Sequence, residues 1–248
     1  MRRPSASSPL WHPLLAGLLL TRLPLPHVPE AVFSQSKQAV WAYPLVGLVL
    51  GGIAVTVGFA APTPAIGAGL ALAALAISTG ALHEDGLADT ADGLWGGHTR
   101  DRRLEIMKDS RIGAYGVLAL IMVTGLRWAA LMAAGLPALI ASAALSRSMM
   151  PAVMAALPHA RDQGLSHSVG RPSALLAGLS VAVGLGIAWG ATGAPAMFAA
   201  LAAIAASTAI AFIAKHKIGG QTGDICGATQ QMSEVAILIA LAYAAPTA

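Results

Sequence analysis

Charge is scarce in this chain. Asp, Glu, Lys and Arg together make up 10% of its 248 residues, where a soluble domain carries about 25%. Cysteine is scarcer still: Cys226 stands alone, which excludes a disulfide framework and a multi-cysteine zinc site. No dense basic patch is present. The 15 basic and 11 acidic residues leave a formal net charge of +4, so the pI near 9.6 reflects few ionisable groups, and nucleic acid is not an expected partner. Internal repeats and low-complexity linkers are also missing, which disfavours an inverted-repeat transporter. The apolar run behind Arg2 and Arg3 could suggest a signal peptide, but no small-residue cleavage site follows Leu20, so its removal is not expected.

What is abundant is apolar surface. Hydrophobic residues make up 56% of the chain and the mean hydropathy is +0.69, far too much to leave solvated in a disordered chain. The expectation is an all-α, polytopic integral membrane bundle, a single catalytic domain over 1–248. A spanning helix needs about 20 apolar residues. Six stretches qualify: Val40–Ala60, Ala65–His83, Ile112–Ala134, Pro137–Leu157, Ser173–Thr192 and Ala196–Ala214. A seventh, Glu234–Ala245, is long enough only if it begins near Thr229, and Leu10–Leu20, ahead of Pro24 and Pro26, reads as a half-inserted or interfacial helix. Small residues such as Gly47, Gly51, Gly52, Gly178, Gly184 and Gly186 predict close helix–helix approach.

The basic residues are unevenly placed. The N-terminal segment, the loops Glu84–Arg111 and Pro158–Pro172, and Lys215–Ser233 hold 13 of the 15, and the turns between them hold none. The positive-inside rule puts these charged segments and the N-terminus in the cytoplasm.

The most informative segment is His83-Glu84-Asp85-Gly86-Leu87-Ala88-Asp89-Thr90-Ala91-Asp92-Gly93. Asp85, Asp89 and Asp92 recur at i, i+4 and i+7, within an arc of about 60° on a helix. Three like charges there repel unless a cation sits among them, and oxygen ligands suit Mg²⁺ or Mn²⁺. The alternative is a solvated acidic loop. The next segment runs from Arg100 to Gly113, where Glu105, Lys108 and Arg111 at i, i+3 and i+6 could line one helix face. Lysine and arginine beside a cation site suit a diphosphate, and plain headgroup anchoring explains them equally well. The third is Gly219-Gly220-Gln221-Thr222-Gly223-Asp224, a glycine-rich loop able to approach an anion or simply to turn between helices, with Asp224 as a ligand or a cap. Arg127 and Arg147 fall inside expected spans, where each needs a partner or a polar cavity. Arg127 is read as a structural partner of a carboxylate or carbonyl, Arg147 as projecting into an inward-facing cavity. The scattered histidines form no ligand set; Met149 and Met150 read as packing, and Cys226 as a small buried residue.

These segments resemble the cobalamin synthase family, the adenosylcobinamide-GDP ribazoletransferases. The matching pieces are Leu20 to Pro26, Tyr43-Pro44-Leu45-Val46-Gly47, Asp85 to Gly93, Glu105 to Gly113, Ser146-Arg147, Pro158 to Leu165 and Gly219 to Asp224, in order along nearly the whole chain. His159 stands where the family would have a tyrosine. The resemblance implies a Mg²⁺-dependent condensation at the cytoplasmic face of the inner membrane. Adenosylcobinamide-GDP would be joined to α-ribazole or its 5′-phosphate, with release of GMP. On that footing Asp85, Asp89 and Asp92, with Glu84 as a further ligand, are expected to hold the metal. Lys108 and Arg111 are expected at the diphosphate, with Arg22, Arg147, Arg161, Gly220, Thr222 and Gly223 as further substrate contacts. Asp92, failing it Asp109 or Asp224, is the expected general base. The lipid bilayer is the other partner, and a homo-oligomer stays open. Two rivals remain. A CDP-alcohol phosphatidyltransferase would show an Asp-Gly-x-x-Ala-Arg core, whereas Asp89 follows Ala88 here; an ion-coupled transporter would place its acids near the midplane, often on broken helices.

Overall fold

The computed structural model describes residues 8–245; Arg2 and Arg3, counted above toward the charged side, lie outside them. Twelve α-helices are present among the described residues: α1 His12–Leu20, α2 Ser36–Ala39, α3 Tyr43–Phe59, α4 Pro64–Thr79, α5 Leu82–Gly96, α6 Arg100–Ile106, α7 Ala114–Ala134, α8 Ala138–Ala156, α9 Leu165–Val169, α10 Ala174–Thr192, α11 Pro195–Ile218 and α12 Gly223–Ala244. Six helical stretches are long and apolar enough to cross a membrane: 30–59, α7, α8, α10, residues 196–218 and α12.

The expected span Ala65–His83 is not one rod. Its helix ends at Thr79, and α5 leaves at 88° to α4. The turn is made by Gly80 and Ala81, both left-handed, at φ 63° and 56°. Glycine takes that conformation freely, whereas alanine is strained there. Taken together, α4 and α5 are apolar and long enough for a membrane segment broken at this turn.

The expected seventh span was too short. Its helix α12 begins at Gly223, eleven residues before Glu234, because Thr222 caps it by accepting the Ile225 N–H at 3.3 Å. The first half of α12 escapes a hydropathy reading because Gln230, Gln231, Ser233 and Glu234 are polar, yet all four are buried among other helices. At the N-terminus α1 is short, as expected. It is tied to the segment before α3 by Trp41, whose indole N–H donates to His12 Nδ1 at 2.8 Å.

Helices touch where the sequence supplies no side chain. A Cβ on Gly47 would run into the Ala143 carbonyl of α8, and one on Gly51 would lie 2.9 Å from the Ile140 Cα. Gly86 of α5 faces Gly227 of α12, where an added Cβ would be 3.1 Å from the opposing Cα. Gly184 packs α10 on α8. By contrast Gly52, Gly178 and Gly186 meet nothing within 4 Å, so half of the glycines expected at contacts face outward.

One end of the bundle collects the basic loops. There the orphan carbonyls of helix C-termini are taken up by arginine and lysine. Arg103 donates to Gly97 O (3.0 Å) and Lys217 O (2.9 Å), Arg100 to Ile218 O (3.1 Å) and Ala160 O (2.7 Å), Arg171 to Ala155 O (2.9 Å), and Lys217 to Leu94 O (2.7 Å). Cations there also oppose the negative ends of the helix dipoles.

The packing yields a test. Gly47→Ala is expected to destabilise by about 1–3 kcal/mol, since the neighbour is backbone and cannot yield; Gly52→Ala is expected to leave stability unchanged. Melting temperatures of the two variants in the same detergent check this.

Candidate active site

Glu84 and Asp85 are adjacent in sequence and part company in space, because successive helical residues point about 100° apart. Glu84 turns into the bundle. Its Oε1 accepts from Arg127 at 3.4 Å and from Gln231 at 3.0 Å. Arg127 also donates to Gln231 Oε1 at 2.9 Å and to Glu234. Glu234 in turn accepts from Gln230 at 2.5 Å and lies 3.9 Å from Arg147 Nη1. Two arginines and two glutamates, drawn from α5, α7, α8 and α12, thus form one neutral cluster, buried except for Glu84, which is partly exposed. Arg127 is the structural partner expected of it. Glu84 as a metal ligand and Arg147 as a substrate contact are both corrected: each belongs to this cluster. Arg147 is 1% exposed, and its Nη1 donates to Ala143 O of its own helix at 2.9 Å.

Asp92 is corrected too, both as a ligand and as a base. Its Oδ2 accepts the Gly113 N–H at 2.7 Å and its Oδ1 the Gly116 N–H at 2.9 Å, so it anchors the N-terminus of α7, where a carboxylate suits the positive end of the dipole. Glycine at both partners leaves room for this contact, since a Cβ on either would press on the Asp92 carboxylate and push it aside. The helix face was read rightly, but seven residues span about 10.5 Å along the axis. Asp85 and Asp92 are therefore too far apart to share one small ion. Among the described residues no three His, Cys, Asp or Glu side chains gather into a preformed metal cage.

What α5 does present is Asp85, exposed, and Asp89, half-buried. Both interact electrostatically across the interface with Asp224 at the start of α12, and Asp89 also with Arg161. Arg161 Nη2 holds Asp224 Oδ2 at 3.0 Å, and Thr222 Oγ1 donates to the same oxygen at 3.1 Å. Arg161 is brought there by a two-residue parallel pairing: Gln221 N donates to Pro158 O (2.8 Å) and Ala160 N to Gln221 O (2.9 Å). Gly220 belongs to this strap rather than to a substrate, because any Cβ there would strike the Pro158 carbonyl. Thr222, likewise, caps α12 and orients Asp224. His159, the departure from tyrosine, bonds Gln221 Nε2 at 2.9 Å and meets the His167 ring edge-on. Partial burial, with His167 and Arg171 nearby, lowers its pKa.

Lys108 and Arg111 do not share a helix face. Helix α6 ends at Ile106, and both residues stand exposed on the loop behind it. Arg111 clasps Asp109, with Nη2 to Oδ2 at 2.7 Å, and this bond holds the Asp109 carboxyl down at about 2. So acidic a carboxyl makes a poor base near neutral pH. Arg22 is exposed, its stem lying against Gly80 at the α4–α5 break.

Beneath Asp85, Asp224 and Arg161 lies a cavity of about 120 Å³, below the roughly 300–1,000 Å³ of a site that encloses a whole drug-sized ligand. Gly223 and Cys226 line it from α12, Tyr43 from α3, and Met150 and Met154 from α8. Two polar groups of its lining residues have no partner among the described residues: Arg161 Nη1 and both ring nitrogens of His83. His83 and Glu234 escaped the sequence reading. A signal for Glu234 existed, since two arginines within spans demand buried counter-charges.

A bundle of membrane-length helices with carboxylates, an arginine and a deep cavity gathered at one end defines a membrane-embedded enzyme. The chain belongs to the cobalamin-5-phosphate synthase family, whose model matches residues 12–242. It is 44% identical over 241 residues to an adenosylcobinamide-GDP ribazoletransferase of Bradyrhizobium diazoefficiens, covering 92% of each chain. It is also 42% identical over 247 residues to proteins of that name from Brucella canis and Brucella suis, covering 91% of this chain and 94% of theirs. No solved structure matches it. The chain is therefore a transferase of cobalamin biosynthesis.

Asp92→Asn is expected to destabilise the protein by about 1–3 kcal/mol, because an amide can accept only one of the two N–H groups and leaves the other unpaired. A lowered melting temperature with the helical circular dichroism retained checks it; an unchanged melting temperature would remove Asp92 as the anchor of α7.

Proposed function

We propose that this enzyme condenses adenosylcobinamide-GDP with α-ribazole or its 5′-phosphate, releasing GMP, at the cytoplasmic face of the inner membrane. The observation that carries this reading is the convergence of Asp85, Asp224 and Arg161 on one cavity, with Asp89 electrostatically coupled to all three and Arg161 Nη1 buried and unpartnered among the described residues. The activity for which the relatives are named supports the substrate pair, and the unbalanced loop charge supports the cytoplasmic side. The break before α5 is a feature that transporters share, but Asp85 is exposed at the charged end of the bundle rather than enclosed at its middle.

The donor set fits Mg²⁺. Both carboxylates on α5 are hard oxygen ligands, and this ion is commonly held by one or two carboxylates together with substrate phosphates rather than by an all-protein cage. Asp85 and Asp89 would hold it. When bound it would neutralise charge on the diphosphate.

The rest falls to the chain's own residues. A hydroxyl of the nucleoside forms the new P–O bond, the P–O bond to GMP breaks, and the hydroxyl proton needs an acceptor. Asp92 is committed to the α7 N-terminus and Asp109 to Arg111. Asp224 is then the base, oriented by Thr222 and Arg161. Arg161 offers its free Nη1 to the diphosphate, as a planar guanidinium suits. Transfer of this kind depends on positioning and charge neutralisation more than on covalent help. Lys108, exposed on its loop, stays available for a long phosphate-bearing substrate to reach.

Two tests follow from this reading. Asp89→Asn is expected to lower kcat at least about a hundredfold, as loss of a principal electrostatic contact does, while insertion and melting temperature stay normal. GMP release from adenosylcobinamide-GDP and α-ribazole in Mg²⁺ measures it, and activity within about twofold of the parent would remove Asp89 from the site. Single cysteines at exposed His98 and Pro62 address sidedness. Only the Pro62→Cys protein is expected to react with an impermeant maleimide added to intact cells; labelling of the His98→Cys protein would invert the topology.

A further inference from the structure

The two nitrogens of His83 are the most unusual groups in the cavity. The residue is 1% exposed, it lines the cavity, and neither ring nitrogen has a hydrogen-bond partner. A buried imidazole left unpaired is unfavourable by about 1–3 kcal/mol and calls for a partner that arrives from outside. The walls around it narrow the choice. Leu20, Tyr43, Met150, Met154 and Val169 offer apolar and aromatic surface, while the charged groups Asp85, Asp224 and Arg161 line the same cavity from the first turns of α5 and α12 and from the strap.

Of the two nucleotide components in the reaction, guanine presents five hydrogen-bonding groups along its edges and would leave most of them unmet on such walls. A dimethylated benzimidazole presents flat apolar surface and, once attached to its sugar, one unsubstituted ring nitrogen, which accepts. Any tautomer of imidazole carries an N–H to give it. Methionines are suited to packing against a flat ring.

We propose that this cavity seats the heterocyclic base of the attacking nucleoside, with His83 donating to its one free ring nitrogen. The base inside and the carboxylates at the rim would hold the ribose between them, beside Asp224, where its hydroxyl meets the diphosphate. This rests on the transfer reading above and adds to it which half of the substrate pair the cavity takes. His83 is then a specificity residue for the nucleoside and touches no part of the corrinoid partner.

The experiment pairs a deletion in the ligand with a deletion in the protein. Steady-state GMP release is measured with α-ribazole and with an indole analogue of it, in which the accepting nitrogen is replaced by C–H and every hydroxyl is kept. The parent enzyme is expected to favour α-ribazole by about tenfold in kcat/KM, the worth of one well-made hydrogen bond. In His83→Leu that preference is expected to vanish, with the KM for adenosylcobinamide-GDP within about twofold of the parent. Met154→Trp, which fills the cavity and keeps His83, is expected to raise the KM for α-ribazole alone, and with the parent's discrimination it decides the matter should His83→Leu not fold. Equal use of the two nucleosides by the parent, or a raised KM for adenosylcobinamide-GDP in either variant, overturns the assignment of the cavity and leaves the transfer reading standing. A parent enzyme that releases no GMP with either nucleoside overturns the transfer reading and this one with it.

Discussion

Four charges buried in an apolar bundle organise the rest of this structure. Glu84, Arg127, Arg147 and Glu234 come from four helices and sum to zero. Each alone would be prohibitive at that depth. Paired and hydrogen-bonded through Gln230, Gln231 and Ser146 they are tolerated, and breaking any one pair would strand its partner, which is far worse than never having buried it. The cluster therefore admits essentially one arrangement of α5, α7, α8 and α12. With Glu84 pinned inward, Asp85 turns to the cavity and Asp89, one turn on, stays half-buried beside it.

The same economy of polar groups recurs at the charged end. Arginines that mark the loops as basic also close off helix C-termini, so Arg100, Arg103, Arg171 and Lys217 serve the fold directly. Arg161 does otherwise: its Nη2 is spent on Asp224 and its Nη1 is left without a partner among the described residues. Other buried side-chain atoms also lack partners among the described residues, Glu84 Oε2, Arg127 Nε and Arg147 Nε within the charge cluster included, but Arg161 Nη1 and the His83 ring belong to residues that line one cavity.

The break between α4 and α5 ties these features together. A straight helix through Ala65–His83 would have carried the acidic segment onward along the α4 axis. The turn at Gly80 and Ala81 swings it instead by 88°, across α12, where Gly86 and Gly227 permit close contact. That contact brings Asp224, well over a hundred residues away in sequence, to the carboxylates of α5.

The sequence by itself determined the class of molecule. Apolar runs of membrane length, the alternation of charged and uncharged loops, and the acidic face of α5 are local properties, set by composition and by the 3.6-residue period, so they are legible without a fold. It also determined that Arg127 would need a counter-charge, since an isolated guanidinium has no stable place in an apolar span. The tertiary structure alone decided which charges do which work. Glu84 and Asp92 look like ligands because they share a motif with Asp85 and Asp89, yet one is claimed by Arg127 and the other by the α7 amides; Gly220 and Thr222 look like an anion loop and are a strap and a cap. Asp224, Arg161 and His83 meet only through helix packing between segments remote in sequence. Residue type and spacing specify what a side chain can bind, but a carboxylate is taken by whichever donor the fold brings nearest, and that depends on distances no local pattern contains.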